Sequence, residues 1–143
     1  MYRESGAPLF REVSGVNVSI SHSGVYAIAA VSPHPIGVDI ERVRHRDPRM
    51  YDYISSEEEQ ELLDGHEWQT PTAITTLWTI KESVMKAATV GLEWAPRTLL
   101  IESIARGDGG VATSVVRDPS GVRWYVITVR DTSNYIISFA EPV

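Results

Sequence analysis

Between Thr70 and Gly91 the apolar residues recur at helical spacing, and on either side of that stretch the period falls to two. One long helix set among many short strands confines the chain to an α+β architecture: a mostly antiparallel sheet with the helix packed on one face. Thr70-Pro71 opens the helix with proline at the first helical position, Ile74, Leu77, Trp78, Val84, Met85 and Ala88 form its apolar stripe, and Gly91 is the expected stop. Upstream, Val16, Val18 and Ile20 alternate with Asn17, Ser19 and Ser21, which predicts a strand that buries its apolar parity, with His22 continuing that parity. Gly24 breaks the run, so residues 16–31 are expected to form a hairpin. After Pro33 and Pro35, Ile36, Val38 and Ile40 alternate with Gly37, Asp39 and Glu41, a third strand carrying two carboxylates on its other face. Ser55 with Glu58 has capping-box spacing ahead of a short helix over 57–63. Residues 98–104, 111–116, 122–129 and 135–139 complete the strand-like segments, separated by glycine-rich or Asp-Pro-Ser-Gly turns.

At 143 residues the chain is long enough for one core, and residues 1–143 are read as a single domain. No apolar run is long enough to span a membrane, and the first twenty residues lack the pattern of a signal peptide. Cysteine is absent, which excludes disulfides and thiolate metal sites and fits a cytoplasmic location. The formal net charge of -6 argues against nucleic acid as a partner. Arg42, Arg44, Arg46 and Arg49 form one local basic run, which is either a positive patch or a solvated loop.

Asp39 and Glu41 lie two apart on a strand, so both side chains leave one face with their Cα atoms about 6.6 Å apart and can converge on one ion. Glu82 sits inside the long helix, with Lys86 one turn later on the same face and Lys81 pointing elsewhere. An oxygen-only set suits a hard cation, Mg²⁺ in particular, which takes few carboxylates and completes its shell with water and substrate phosphate. Spacing alone leaves two plainer readings open. Asp39 and Glu41 can be the wet face of an edge strand, and Glu82 with Lys86 an ordinary helical ion pair. His22 can equally be a core histidine.

Three segments go further. Ser19-Ile20-Ser21-His22-Ser23, Gly37-Val38-Asp39-Ile40-Glu41, and LWTIKESVMKA over 77–87 resemble, in order and approximate spacing, the signatures of phosphopantetheinyl transferases of the surfactin-synthetase-activating group. The similarity runs from about Gly6 to Ala88. The chain is shortened at its N-terminus relative to that family, and Gly6, Ala7 and Pro8 stand where the family commonly has Gly-Lys-Pro. The resemblance implies one transferase-like lobe that moves the 4'-phosphopantetheine arm of coenzyme A, its co-substrate, to a serine of an acyl or peptidyl carrier protein, releasing 3',5'-ADP. It implies Asp39, Glu41 and Glu82 as Mg²⁺ ligands, Glu82 and Lys86 as catalytic groups, and Ser21, His22 and Lys86 as coenzyme A contacts. Glu58 matches a glutamate frequent in the family, and Trp78 matches a packing position. A single lobe with its site at the edge implies a homo-oligomer, dimer or trimer. The alternative is a truncated, non-catalytic relative that binds a carrier or synthase as an accessory domain.

Overall fold

The computed structural model describes residues 6, 8–9, 14–63, 70–91 and 93–143. Ala7, which departs from the family pattern, lies outside the described residues. Strands β1 (Asn17–Ser23) and β2 (Tyr26–Ser32) form an antiparallel hairpin turning at Gly24, where φ is 57° and a Cβ would lie 2.1 Å from the Tyr135 hydroxyl oxygen. Strand β3 (Gly37–Arg42) leads into two short helices, α1 (Arg49–Ile54) and α2 (Glu57–Leu63). The long helix α3 (Pro71–Ala87) follows, then a 3₁₀ turn at Pro96–Thr98 and strands β4 (Leu100–Arg106), β5 (Val111–Arg117), β6 (Arg123–Arg130) and β7 (Tyr135–Pro142). Strands β4 to β7 meander, and β3 pairs antiparallel with β7, giving the five-stranded order β3-β7-β6-β5-β4. The expected α+β fold is therefore present, with α3 lying on β3, β7 and β6. No helix among the described residues is long and apolar enough to cross a membrane.

Helix α3 starts as the sequence indicates: the Thr70 hydroxyl accepts the Ala73 N–H at 3.2 Å, with Pro71 at the first helical position. It ends at Ala87, and Thr89 takes the left-handed conformation ahead of Gly91. Ile74, Leu77, Ile80, Val84 and Met85 are buried and meet Ile101, Val116, Trp124, Val126 and Ala140 from the sheet. Gly37 is what lets β3 approach. A Cβ there would lie 1.8 Å from the carbonyl oxygen of Ser83 and 2.5 Å from the Ala87 nitrogen, so helix and strand backbones touch directly.

Two readings of the sequence are corrected. The capping box is Ser56 with Glu59, not Ser55 with Glu58: the Ser56 hydroxyl accepts the Glu59 N–H at 3.2 Å and Glu59 Oε2 accepts the Ser56 N–H at 3.1 Å, while Glu58 is exposed. Strand β1 does not bury its apolar parity. Ser19 and Ser21 are buried and Ile20 is 49% exposed, because the serine hydroxyls stand in for a missing backbone ladder between β1 and β3. Ser19, Ser21 and Ser23 accept the N–H groups of Val38, Ile40 and Arg42 at 2.9, 3.2 and 3.0 Å. A buried strand edge needs these acceptors, so hydrogen bonding overrides the hydrophobic pattern.

Lys81 is wholly buried, and its ammonium donates to the Ile54 carbonyl at 2.5 Å, Glu59 Oε2 at 2.6 Å and the Pro96 carbonyl at 3.1 Å. Three donors meet three acceptors. Glu59 Oε1 in turn accepts the Ile101 N–H at 2.7 Å, joining α2 to β4. Removing one partner leaves an uncompensated buried charge, so Glu59→Ala is expected to cost about 3–5 kcal/mol in urea denaturation; a loss under about 1 kcal/mol would show that the pair is not the lock described.

Candidate functional site

The site forms where β3 runs beneath the C-terminal half of α3. The face of β3 that carries Gly37 also carries Asp39 and Glu41, and Gly37 contacts α3 at Ser83, so both carboxylates face the helix turns bearing Glu82 and Lys86. Asp39 is 3% exposed, which removes the wet-edge reading: β3 is covered on one edge by β7 and on the other by the serines of β1. Asp39 Oδ1 accepts from Lys86 Nζ at 2.7 Å and from the Ser21 hydroxyl at 2.9 Å. Its other oxygen, Oδ2, is buried without a hydrogen-bond partner. Lys86 thus pairs with the strand carboxylate rather than forming the plain helical pair with Glu82. Glu41 Oε2 accepts from Arg46 Nη2 at 3.3 Å.

Burial pushes all three carboxyl groups above their ordinary range. For Asp39 burial outweighs the opposing pull of Lys86 and Ser21. For Glu41 burial comes first and the Asp39 charge second, with Arg46 and Arg44 pulling the other way. For Glu82 burial is again largest, Asp39 and Glu41 add to it, and Lys86 opposes it. The three groups sense one another electrostatically, as a shared site requires. Even so, among the described residues no three acidic or histidine side chains stand at the spacing that holds a metal ion as they are.

Ser21 and His22 go different ways. Ser21 spends its hydroxyl on Asp39 and the Ile40 N–H, so it positions the carboxylate. His22 lies exposed on the opposite face of β1, paired in register with Ala27, and is not a core histidine. The basic run also divides. Arg42 and Arg44 are exposed and Arg49 is engaged by Asp47 at 2.6 Å on the surface, while Arg46 turns inward to Glu41. Arg46 escaped detection in the sequence because a charge run does not reveal which member folds back. The position of Ser21 was legible in principle, since serines at 19, 21 and 23 share one parity beside a strand rich in apolar residues.

Comparison with known proteins gives the family. The family model described as the 4'-phosphopantetheinyl transferase superfamily matches residues 35–140, which include β3 and α3 with all four charged groups. The 4'-phosphopantetheinyl transferase psf-1 of Bacillus pumilus is 29% identical over 91 residues, covering 63% of this chain and 39% of that protein. The 4'-phosphopantetheinyl transferase gsp of Aneurinibacillus migulanus is 35% identical over 78 residues, covering 54% of this chain and 33% of that protein. In fold the chain is similar to the crystal structure of Thermotoga maritima holo-[acyl-carrier-protein] synthase, with a TM-score of 0.56 at 16% identity, over 76% of this chain and 62% of that one. The chain belongs to the 4'-phosphopantetheinyl transferase superfamily. It spans well under half the length of the curated relatives named here.

The raised carboxyl groups have a consequence for stability. Each folded-state value lies above its unfolded one, so the fold is most favoured with these groups protonated and loses stability as pH rises from about 4 through the raised values. Glu82→Gln should therefore raise the melting temperature of the cation-free protein at pH 7–8 by about 2 °C or more, and change it little at pH 4. Parallel melting curves for parent and variant across that range would show that the carboxylates do not repel one another.

Proposed function

We propose that the chain transfers the 4'-phosphopantetheine arm of coenzyme A to a serine of an acyl or peptidyl carrier protein, with Mg²⁺ as cofactor and 3',5'-ADP as the released product. The observation that carries the reading is Asp39 in a chain of this family: its Oδ2 is buried and unpartnered, its Oδ1 accepts from Lys86, and its charge acts on Glu41 and Glu82. The donor set fits a hard cation: it is all oxygen, and one oxygen is already desolvated with nothing bound to it. Asp39, Glu41 and Glu82 would hold the ion. Bound there, it supplies positive charge against the coenzyme A diphosphate, as in phosphoryl transfer generally.

The chain's own residues do the rest. The carrier serine oxygen forms a bond to the β-phosphorus while the bond from that phosphorus to the oxygen of 3',5'-ADP breaks. Glu82, beside Asp39 and Glu41, is the carboxylate that takes the serine proton. Lys86 shifts from Asp39 to the departing phosphate, a short move for an ammonium on a flexible stem. Ser21 keeps Asp39 aimed. Exposed Arg42 and Arg44, at the end of β3, give an acidic carrier surface a place to land.

The test is the mass gain of a carrier protein incubated with coenzyme A and Mg²⁺. Asp39→Ala and Glu82→Ala should each cut transfer by about a hundredfold or more, and the double variant should lose little beyond either single one, because the groups act as a unit. Near-normal transfer by both single variants would refute the site. A parent chain that binds carrier without transferring anything would make it an accessory domain instead.

We also propose that the chain works as a homo-oligomer. Val25 is 86% exposed and Val31 57% on a hairpin of only two strands, surface that a second copy would cover. Light scattering at tens of micromolar should give a mass of at least two chains; a monomer with full activity defeats the idea.

A further inference from the structure

Arg46 lies in the six-residue connection between β3 and α1, a segment fixed at both ends. The Val43 N–H donates to the Asn134 carbonyl at 2.8 Å, and Asp47 accepts the Met50 and Arg49 N–H groups, each at 2.9 Å. The side chain is 13% exposed, against 88% for Arg49. Among the described residues its only hydrogen bond runs from Nη2 to Glu41 Oε2 at 3.3 Å, longer than the roughly 2.7–2.9 Å of a well-made charge-assisted bond. Its Nε is buried with no hydrogen-bond partner among the described residues. A guanidinium stays charged at any working pH and presents a planar fork that suits a phosphate oxygen pair. Here that fork is desolvated, loosely held and half unused, beside carboxylates that carry their own unpartnered oxygen at Asp39 Oδ2. A settled structural ion pair would use both sides of the fork, as Arg49 does with Nε and Nη2 on Asp47.

We propose that Arg46 is a phosphate-binding residue held in reserve by Glu41: a divalent cation that takes Glu41 releases the guanidinium onto a phosphoryl oxygen of the incoming diphosphate. This rests on the reading given under Proposed function. Arg46 and the cation compete for Glu41, so Arg46 weakens binding of the cation alone. In the complex with diphosphate the same guanidinium is attractive, so Arg46 couples the two ligands positively. A structural ion pair predicts no such opposition of sign.

Calorimetric titrations of the full chain measure both arms. The parent, Arg46→Gln and Arg46→Lys are titrated with Mg²⁺ alone, then with inorganic pyrophosphate and with coenzyme A in saturating Mg²⁺. Arg46→Gln should bind Mg²⁺ alone several-fold more tightly, and both phosphate ligands about tenfold or more weakly, since a charge-assisted hydrogen bond is lost. Arg46→Lys should recover part of the phosphate affinity, and a circular dichroism spectrum like that of the parent confirms the fold of each variant. If Arg46→Gln binds pyrophosphate and coenzyme A as the parent does, or loses Mg²⁺ and phosphate affinity together, Arg46 is a structural partner of Glu41 and the inference is overturned while the transferase reading stands. If the parent itself binds neither phosphate ligand in Mg²⁺, the transferase reading falls and takes this inference with it.

Discussion

The buried pair of Lys81 and Glu59 sets the rotation of α3, and the site depends on that rotation. Backbone groups from α1, the 3₁₀ turn and β4 meet on these two side chains, so the helix cannot turn about its axis without stranding a charge in the core. Each residue of a helix advances about 100° around it, so Lys81 aimed at the core sends Glu82 away from it. Lys86, one turn after Glu82, follows to the same side. A residue with no contact to the site thus decides where the site's two helical groups point. The adjacent pair Lys81-Glu82 divides the labour between fold and chemistry within a single peptide unit.

The strand side of the site is held by a different device. Gly37 removes the Cβ that would keep β3 off the helix, and the serines of β1 satisfy the N–H groups that β7 does not reach. Both allow β3 to be buried from Gly37 to Ile40, and burial is what raises Asp39, the first cause of its shift. A carboxylate at the edge of an open sheet would be solvated and inert by comparison. Ser21 joins the two functions, accepting the Ile40 N–H as part of the edge cover and donating to Asp39 as part of the site.

Much of this was legible in the sequence. The period of α3, its Thr70-Pro71 start and the alternation of β3 each follow from one strong local signal, and the structure follows them. Two of the three motifs that carry the family resemblance fall on those same elements, β3 and α3, and the third on β1. What escaped was set by long-range partners. β1 reads as a strand that buries valine and isoleucine, but three serines face inward because an edge 19 residues away in sequence needs acceptors. The capping box moved by one residue because Glu59, not Glu58, has Lys81 and the Ile101 N–H to satisfy. Helix α1 carries no capping side chain at Pro48 and is held by Tyr51 and Ile54 in the core, so its six residues left no periodic pattern. Arg46 differs from its neighbours only in where the connection turns.

The charges of the site, taken together, explain why its groups are strained when alone. Three carboxylates face two cationic side chains, Lys86 and Arg46, leaving one net negative charge in a poorly solvated region. Protonation is the remedy available to the free protein: burial raises Asp39, Glu41 and Glu82, and at Glu41 and Glu82 the neighbouring carboxylates add to it. A divalent cation by itself would overshoot, turning one negative charge into one positive. A diphosphate diester carries about two negative charges at neutral pH, so cation and diphosphate together return the region to its resting balance while replacing protons with ligands. On the proposed reading, neither would be well accommodated without the other. That pairing fits the proposed transfer, in which a diphosphate would arrive and two separated phosphates leave, because cleavage would break the balance that favoured binding and loosen the product.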